Sequence, residues 1–319
     1  MPIPEILYAH PLKSEKDIQI IQEKGIHTTV VDSVEECDKL VRNDWKGSAL
    51  VRIAVNDKDS KMPFSAKFGA TEKELNAIAQ HSIIPLTGIS FHVGSACENP
   101  LQYKDAIEYA SETGFAILRK YCHEPKIIDI GGGFSSDPSI FSETAKVIQE
   151  TLKTIPGNRK VIAEPGRFFA QPVQDLFVKV IAKKQGVNGI RYVIDESLYG
   201  QFSCIPFDHQ NPAFIRIPMN NSQLERPLKD SILFGRTCDS LDVIAKGPME
   251  ELEIGDWLYF PMMGAYTSAT ASEFNGFPKP EQLEDSRNYL PTINEAWSII
   301  KKFHSNSRLI FSNSLKPIV

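Results

Sequence analysis

Residues 127–134 read IIDIGGGF. An apolar, β-favouring run that empties into three consecutive glycines is a strand ending in a loop whose backbone amides can come close to an anion. One β/α length downstream, residues 161–168 read VIAEPGRF. There an apolar run again meets a glycine, now between Glu164 and Arg167. Three glycines alone serve equally as a flexible turn, and an acid three residues from an arginine serves equally as a surface ion pair. Their succession at two consecutive strand ends favours an anion site. Arg167 can hold oxyanions through charge-assisted hydrogen bonds worth about 1.5–3 kcal/mol each.

Outward from this pair the same rhythm continues. Further apolar runs lie at 6–9, 28–31, 49–55 and 86–94, with helix-like segments at 15–24, 34–41, 72–81, 101–121 and 142–154. Ser14 and Ser33 stand where N-caps belong, each followed by acidic residues. Alternating strands and helices predict parallel β/α units. Six such units fit between Ile6 and Arg167 at about 27 residues each, whereas a closed (β/α)8 barrel takes about 250 residues in all. Phosphate loops in such barrels commonly follow strands seven and eight. On that numbering the visible strands are three to eight, and the first two β/α units are expected to lie outside this sequence. From residue 171 onward the pattern changes to short β-type runs: DLFVKVIAKK, IRYVID, AFIRIP, SILFG and DWLYFPMM. A helix-like stretch follows at 293–303. The expectation is an incomplete β/α barrel over 1–170 and a β-rich, antiparallel domain over 171–319.

With 319 residues and a net charge of −5, the chain carries no general nucleic-acid footprint. It has no apolar run long enough for a membrane span and no secretory signal near its start. Five cysteines without CxxC spacing argue against zinc and against a disulfide framework. A reducing, cytoplasmic setting is expected.

Other candidate residues are weaker one by one. SFHVGSAC places His92 and Ser95 beyond a strand, although a lone histidine there is more often a satisfied structural residue. FDH, 207–209, and GRTCDSLD, 235–242, supply Asp208 and Asp239, two acids able to share a cationic amine. Cys238 is reactive only if its surroundings lower its pKa. MGAYTSATASEFNGF supplies Gly264, Tyr266 and Phe274.

In this order LVRIAV, KFGAT, SFHVGSAC, DIGGGF, IAEPGRF, LYGQFSC, FDH, GRTCDSLD, GDWLYF and MGAYT…FNGF resemble the eukaryotic-type ornithine decarboxylase family. The likeness extends from ILYAHP to the segment around Trp297. It implies an alanine-racemase-like (β/α)8 barrel, here without its first two units, followed by a β-rich domain, with pyridoxal 5'-phosphate as cofactor. His92 would stack on the ring and Glu164 would face the pyridine nitrogen. Ser95, Gly131, Gly132, Gly133, Gly166, Arg167 and Tyr266 would hold the phosphate. Asp208 and Asp239 would receive the distal amine of L-ornithine, with Phe207 and Phe274 beside it, and Cys238 would act as the proton donor. The family's head-to-tail homodimer would share its active sites, pair Lys67 with Asp242 across the interface and hold Gly264 there. Two departures stand out: Phe207 replaces a tyrosine, and nothing matches the YAVK-like segment that carries the family's cofactor lysine. The resemblance therefore implies decarboxylation of ornithine to putrescine by a chain that needs that lysine. Its alternatives are an antizyme-inhibitor-like regulator that binds antizyme and a decarboxylase for another basic amino acid.

Overall fold

The computed structural model describes residues 6–187, 189–217, 226–285 and 309–313. The helix expected at 293–303 lies outside the described residues. The chain divides into two compact units, Met1–Phe168 and Phe169–Val319.

Unit 1 is built on six parallel strands, β1 (Leu7–Tyr8), β2 (Thr28–Val31), β3 (Ser48–Arg52), β5 (Leu86–Ser90), β7 (Ile127–Asp129) and β8 (Lys160–Ile162), hydrogen-bonded in chain order. A short antiparallel ribbon of β4 (Ser60–Met62) and β6 (Ser95–Cys97) stands apart from this sheet. The helices are α1 (Glu15–Glu23), α2 (Val34–Arg42), α3 (Glu72–His81), α4 (Leu101–Tyr109), α5 (Phe115–Lys120) and α6 (Pro138–Thr154). Ser14 and Ser33 cap α1 and α2 as the sequence predicts. The segment expected as one helix over 101–121 is interrupted by a π-helical turn, Ala110–Gly114. A Cβ on Gly114 would lie 3.1 Å from Ile89, so the glycine lets this turn close on β5. Helix α6 begins four residues before the predicted start, because Asp137 caps it and Pro138 occupies its first turn. The strands are shorter than the apolar runs, whose ends continue into the site loops. Val30, Val31, Leu50, Val51, Ile89 and Ile128 are fully buried, as strands covered on both faces require.

Gly166–Ala170 forms a short helix, α7, at the junction of the units. Unit 2 contains β9 (Gln174–Gly186), β10 (Gly189–Ile194), α8 (Cys204–Asp208), β11 (Ile215–Ile217), β12 (Leu228–Phe234), β13 (Val243–Glu250), β14 (Trp257–Phe260), β15 (Glu281–Asp285) and β16 (Leu309–Asn313). The main order is β11-β14-β9-β10-β12-β13. The sheet is mixed rather than antiparallel throughout, since β10 pairs β12 in parallel and β15 pairs β16 in parallel. Strand β13 was not anticipated, because its Lys246-Gly247-Pro248 centre reads as a turn. Among the described residues it pairs with β12 alone, an edge position where a proline is tolerated.

Candidate functional site

Arg167 and Ser95 are 72 residues apart, yet the Arg167 guanidinium donates to Ser95 Oγ from Nε at 3.2 Å and from Nη2 at 3.1 Å. Both residues are 5% exposed. Ser95 is held by the β4–β6 ribbon and Arg167 by the turn after β8, so the two strand-end loops meet at a buried cation.

The glycine loop lies beside them. Gly131 and Gly133 have φ of 63° and 97°, values that favour glycine. A Cβ on Gly132 would lie 2.6 Å from the Glu164 carbonyl and 2.9 Å from His92 Nε2, and one on Gly133 would lie 2.2 Å from the Gly94 carbonyl. The loop's carbonyls are engaged: Gly131 accepts from Glu164 N at 2.8 Å, Gly133 from Cys97 N at 3.0 Å, and Gly132 from Tyr103 Oη at 2.8 Å. Among the described residues the amides of Gly132 and Gly133 donate to nothing. A loop pinned by its carbonyls with amides to spare has the donor chemistry of an anion cradle. Phe134 fixes its far end by stacking on Tyr103 at 5.1 Å. At Gly166 an added Cβ would meet nothing within 4 Å, so that glycine leaves room rather than packing.

His92 borders this cradle. Burial, helped by the positive charge of Arg52, lowers its pKa to about 4. Its Nδ1 accepts the Gly94 amide at 3.0 Å, and its ring meets Phe64 edge-on at 4.9 Å. At neutral pH this ring is uncharged and held in place, which suits stacking on a planar ligand. Glu164 is exposed, and its carboxyl is hydrogen-bonded to that of buried Asp129. A group that holds phosphate and faces a cationic ring thus fits the donors present: a buried guanidinium, a hydroxyl, two spare amides, a neutral imidazole and a carboxylate.

Among the described residues, Lys13, Lys61 and Lys67 of this unit already have partners. Lys13 is buried, but its ammonium donates to the carbonyls of Val30 at 2.7 Å, Pro11 at 2.8 Å and His10 at 3.3 Å, and it pairs with Glu36 at 3.5 Å. Burial lowers its pKa to about 8, yet its donors are spent on fixing the loop after β1. Lys61 faces Glu98, and Lys67 lies over the Phe68 ring.

Unit 2 carries the remaining candidates. On the loop between β12 and β13, Cys238 is exposed and Asp239 half-buried. Tyr199 donates its hydroxyl to Asp239, and the Leu241 amide donates at 2.9 Å. Together, with the tyrosine as the larger influence, they hold the Asp239 carboxyl below the usual range. Tyr199 stacks on Phe274 at 4.1 Å, and Cys238 N donates to Asn275 Oδ1 at 3.1 Å. Asp239, Phe274 and Cys238 are therefore brought into one cluster. Asp208 is buried at the end of α8, while Phe207 beside it is 63% exposed. Tyr266 is 45% exposed, with φ of 55°. Sequence reasoning missed Tyr199, although LYGQFSC lies a few residues after a strand, and it missed Asp129, although that acid stands two residues before the first glycine of the loop.

Two expectations about a subunit interface have explanations inside the single chain. A Cβ on Gly264 would lie 1.9 Å from the Ala170 carbonyl, so its own chain already requires glycine. Asp242 is fully buried and accepts from Leu198 N at 2.8 Å, Thr237 N at 3.0 Å and Thr237 Oγ1 at 2.6 Å, anchoring the Cys238 loop to the segment that carries Tyr199.

Residues 1–171 match the model of the pyridoxal-dependent decarboxylase, pyridoxal binding domain. Antizyme inhibitor 2 of Xenopus laevis is 36% identical over 294 residues, covering 85% of this chain and 64% of that protein. Ornithine decarboxylase of Caenorhabditis elegans is 35% identical over 300 residues, covering 86% of this chain and 69% of that protein. The chain thus spans about two thirds of the length of these curated relatives. Among solved structures, arginine decarboxylase of Paramecium bursaria Chlorella virus bound to agmatine superposes with a TM-score of 0.79 at 34% identity, over 85% of this chain and 76% of that one. Lysine/ornithine decarboxylase of Vibrio vulnificus complexed with cadaverine gives a TM-score of 0.77 at 31% identity, over 87% of this chain and 75% of that one. The chain belongs to the pyridoxal-phosphate-dependent decarboxylases of the ornithine decarboxylase family, with an alanine-racemase-like β/α portion followed by a β-rich domain.

Proposed function

We propose that the chain binds pyridoxal 5'-phosphate through unit 1 and serves the decarboxylation of a basic amino acid, L-ornithine to putrescine, in a homodimer whose subunits share their active sites. The observation that carries this reading is the buried Arg167–Ser95 pair beside the unspent amides of Gly132 and Gly133. Arg167, Ser95, the glycine loop and Gly166 would hold the phosphate, with Tyr266 as a further contact. Neutral His92 would lie against the ring, and Glu164 would supply negative charge to its nitrogen. The cofactor, when bound, acts as the electron sink for the bond that loses CO2. Asp239, kept ionised by Tyr199 and the Leu241 amide, would receive a distal ammonium together with Asp208, and Cys238 would supply a proton. Phe207 offers no hydroxyl at that end. Discrimination among ornithine, lysine and arginine then rests on the two acids and on chain length.

A second reading is a regulator that binds antizyme. The similarity to antizyme inhibitor 2 and the fully engaged Lys13 favour it. Titrating the purified chain with pyridoxal phosphate by absorbance, then measuring CO2 release from ornithine, lysine and arginine and capture by antizyme, separates the two. Cofactor uptake with CO2 release supports the enzyme. Antizyme capture without cofactor uptake overturns it in favour of the regulator.

A further inference from the structure

Asp129 is fully buried at the end of β7, two residues before Gly131 of the glycine loop. Its carboxyl accepts from Gly131 N at 3.0 Å through Oδ1 and from Ser90 Oγ of β5 at 3.1 Å through Oδ2. It also meets the Glu164 carboxyl from the loop after β8. Two carboxyl groups hydrogen-bonded to each other need one proton between them, because both ionised would repel and neither could donate. The surrounding charges decide where the proton sits. Arg52 of β3 is the cation that influences both acids, and it also serves Asp32 and Asp57. Glu164 is open to solvent while Asp129 is sealed from it, so the charged form is better tolerated on Glu164 and the neutral form on Asp129.

We infer that Asp129 holds the proton of this pair and thereby fixes Glu164 as the single negative charge at the edge of the cradle. Asp129 is thus a positioning residue: it donates to Glu164, aims its carboxylate and ties that aim to the glycine loop through Gly131. Burial first, and then the bond to Glu164, raise the Asp129 pKa to about 8, in keeping with this arrangement. The significance for a cationic ring nitrogen rests on the pyridoxal-phosphate reading, but the proton's location does not.

Infrared spectroscopy of the full chain in water and in deuterium oxide tests the inference. At neutral pH the wild type should show the carbonyl stretch of a buried protonated carboxyl, shifted by deuterium. Asp129→Asn, an isosteric neutral substitute, should lose that band, whereas Asp175→Asn, which alters the other buried acid with a raised pKa, should leave it. A 13C label in the side-chain carboxyl of aspartate should shift the band, and the same label in glutamate should leave it in place. Labelling changes no side chain, so it decides the matter even if Asp129→Asn fails to fold. A band that survives Asp129→Asn, or that shifts with the glutamate label, overturns the inference. Cofactor absorbance is measured in parallel. Failure to take up pyridoxal phosphate, with the band lost in Asp129→Asn and shifted by the aspartate label, overturns the functional reading and upholds the proton assignment, and uptake with a band that shifts only with the glutamate label does the reverse.

Discussion

The glycine loop of unit 1 and the Cys238 loop of unit 2 are both bordered by ionisable groups, but burial treats them differently. Arg167 and Ser95 are each 5% exposed, and His92 is pushed to a pKa of about 4 chiefly by desolvation. Asp239 is only half-buried, and its carboxyl is tuned chiefly by one tyrosine hydroxyl. In the first site the fold removes water, so backbone geometry and distant charge govern the chemistry. In the second, solvent screens distant charge, so only groups in direct contact matter. Substitutions should therefore act on stability and pH response in unit 1, and locally in unit 2.

The largest effect should come from the loop itself. Gly133→Ala places a Cβ 2.2 Å from the Gly94 carbonyl at φ of 97°, so stability should fall by about 2–6 kcal/mol in urea unfolding, combining backbone strain and overpacking. Gly166→Ala, with nothing within 4 Å, should leave stability unchanged and weaken only cofactor uptake. Equal losses for the two would break the distinction between a packing glycine and one that leaves room.

His92 gives the next effect. Its pKa falls from 6.5 to about 4 on folding, so the unfolded chain binds a proton in that window that the folded chain refuses. Stability from this residue is complete above pH 6.5 and is lost as pH drops towards 4, by about 3 kcal/mol. His92→Asn can still accept the Gly94 amide, and it should flatten the acid limb of the stability profile.

Arg167→Ala removes the buried cation. Pyridoxal phosphate should then bind roughly 10–100-fold more weakly in an absorbance titration, the equivalent of one charge-assisted contact of about 1.5–3 kcal/mol. The smallest change is expected in unit 2. Tyr199→Phe should leave stability within the spread of ordinary surface substitutions. It should raise the Asp239 titration midpoint followed by NMR, because the hydroxyl that holds this carboxyl low is gone. A global loss of stability from Tyr199→Phe would show that the Cys238 loop is as deeply integrated as the glycine loop.

Much of unit 1 was legible because its signals are local. Ser14, Ser33 and the acids after them cap helices through contacts three residues long, and helix α3 occupies the predicted residues 72–81. The Val/Ile-rich runs mark strands because a parallel sheet buries both faces. The π-turn at 110–114 and strand β13 were hidden, since a close approach to Ile89 and a one-sided edge are properties of neighbours. The parallel pairing of β10 with β12 likewise depends on which strands meet, and alternation within one strand is silent about that.

The sequence by itself determined the family, the run of strand-end motifs and the residue types able to hold phosphate, because motif order and local backbone preference are written along the chain. Only the tertiary structure decided that Ser95 and Arg167 share a hydrogen bond, that Lys13 is spent on carbonyls and that Asp129 meets Glu164. Those facts depend on which side chains are deprived of water and which groups face them across 17 to 72 residues, and hydration and proximity exist only once the chain has folded.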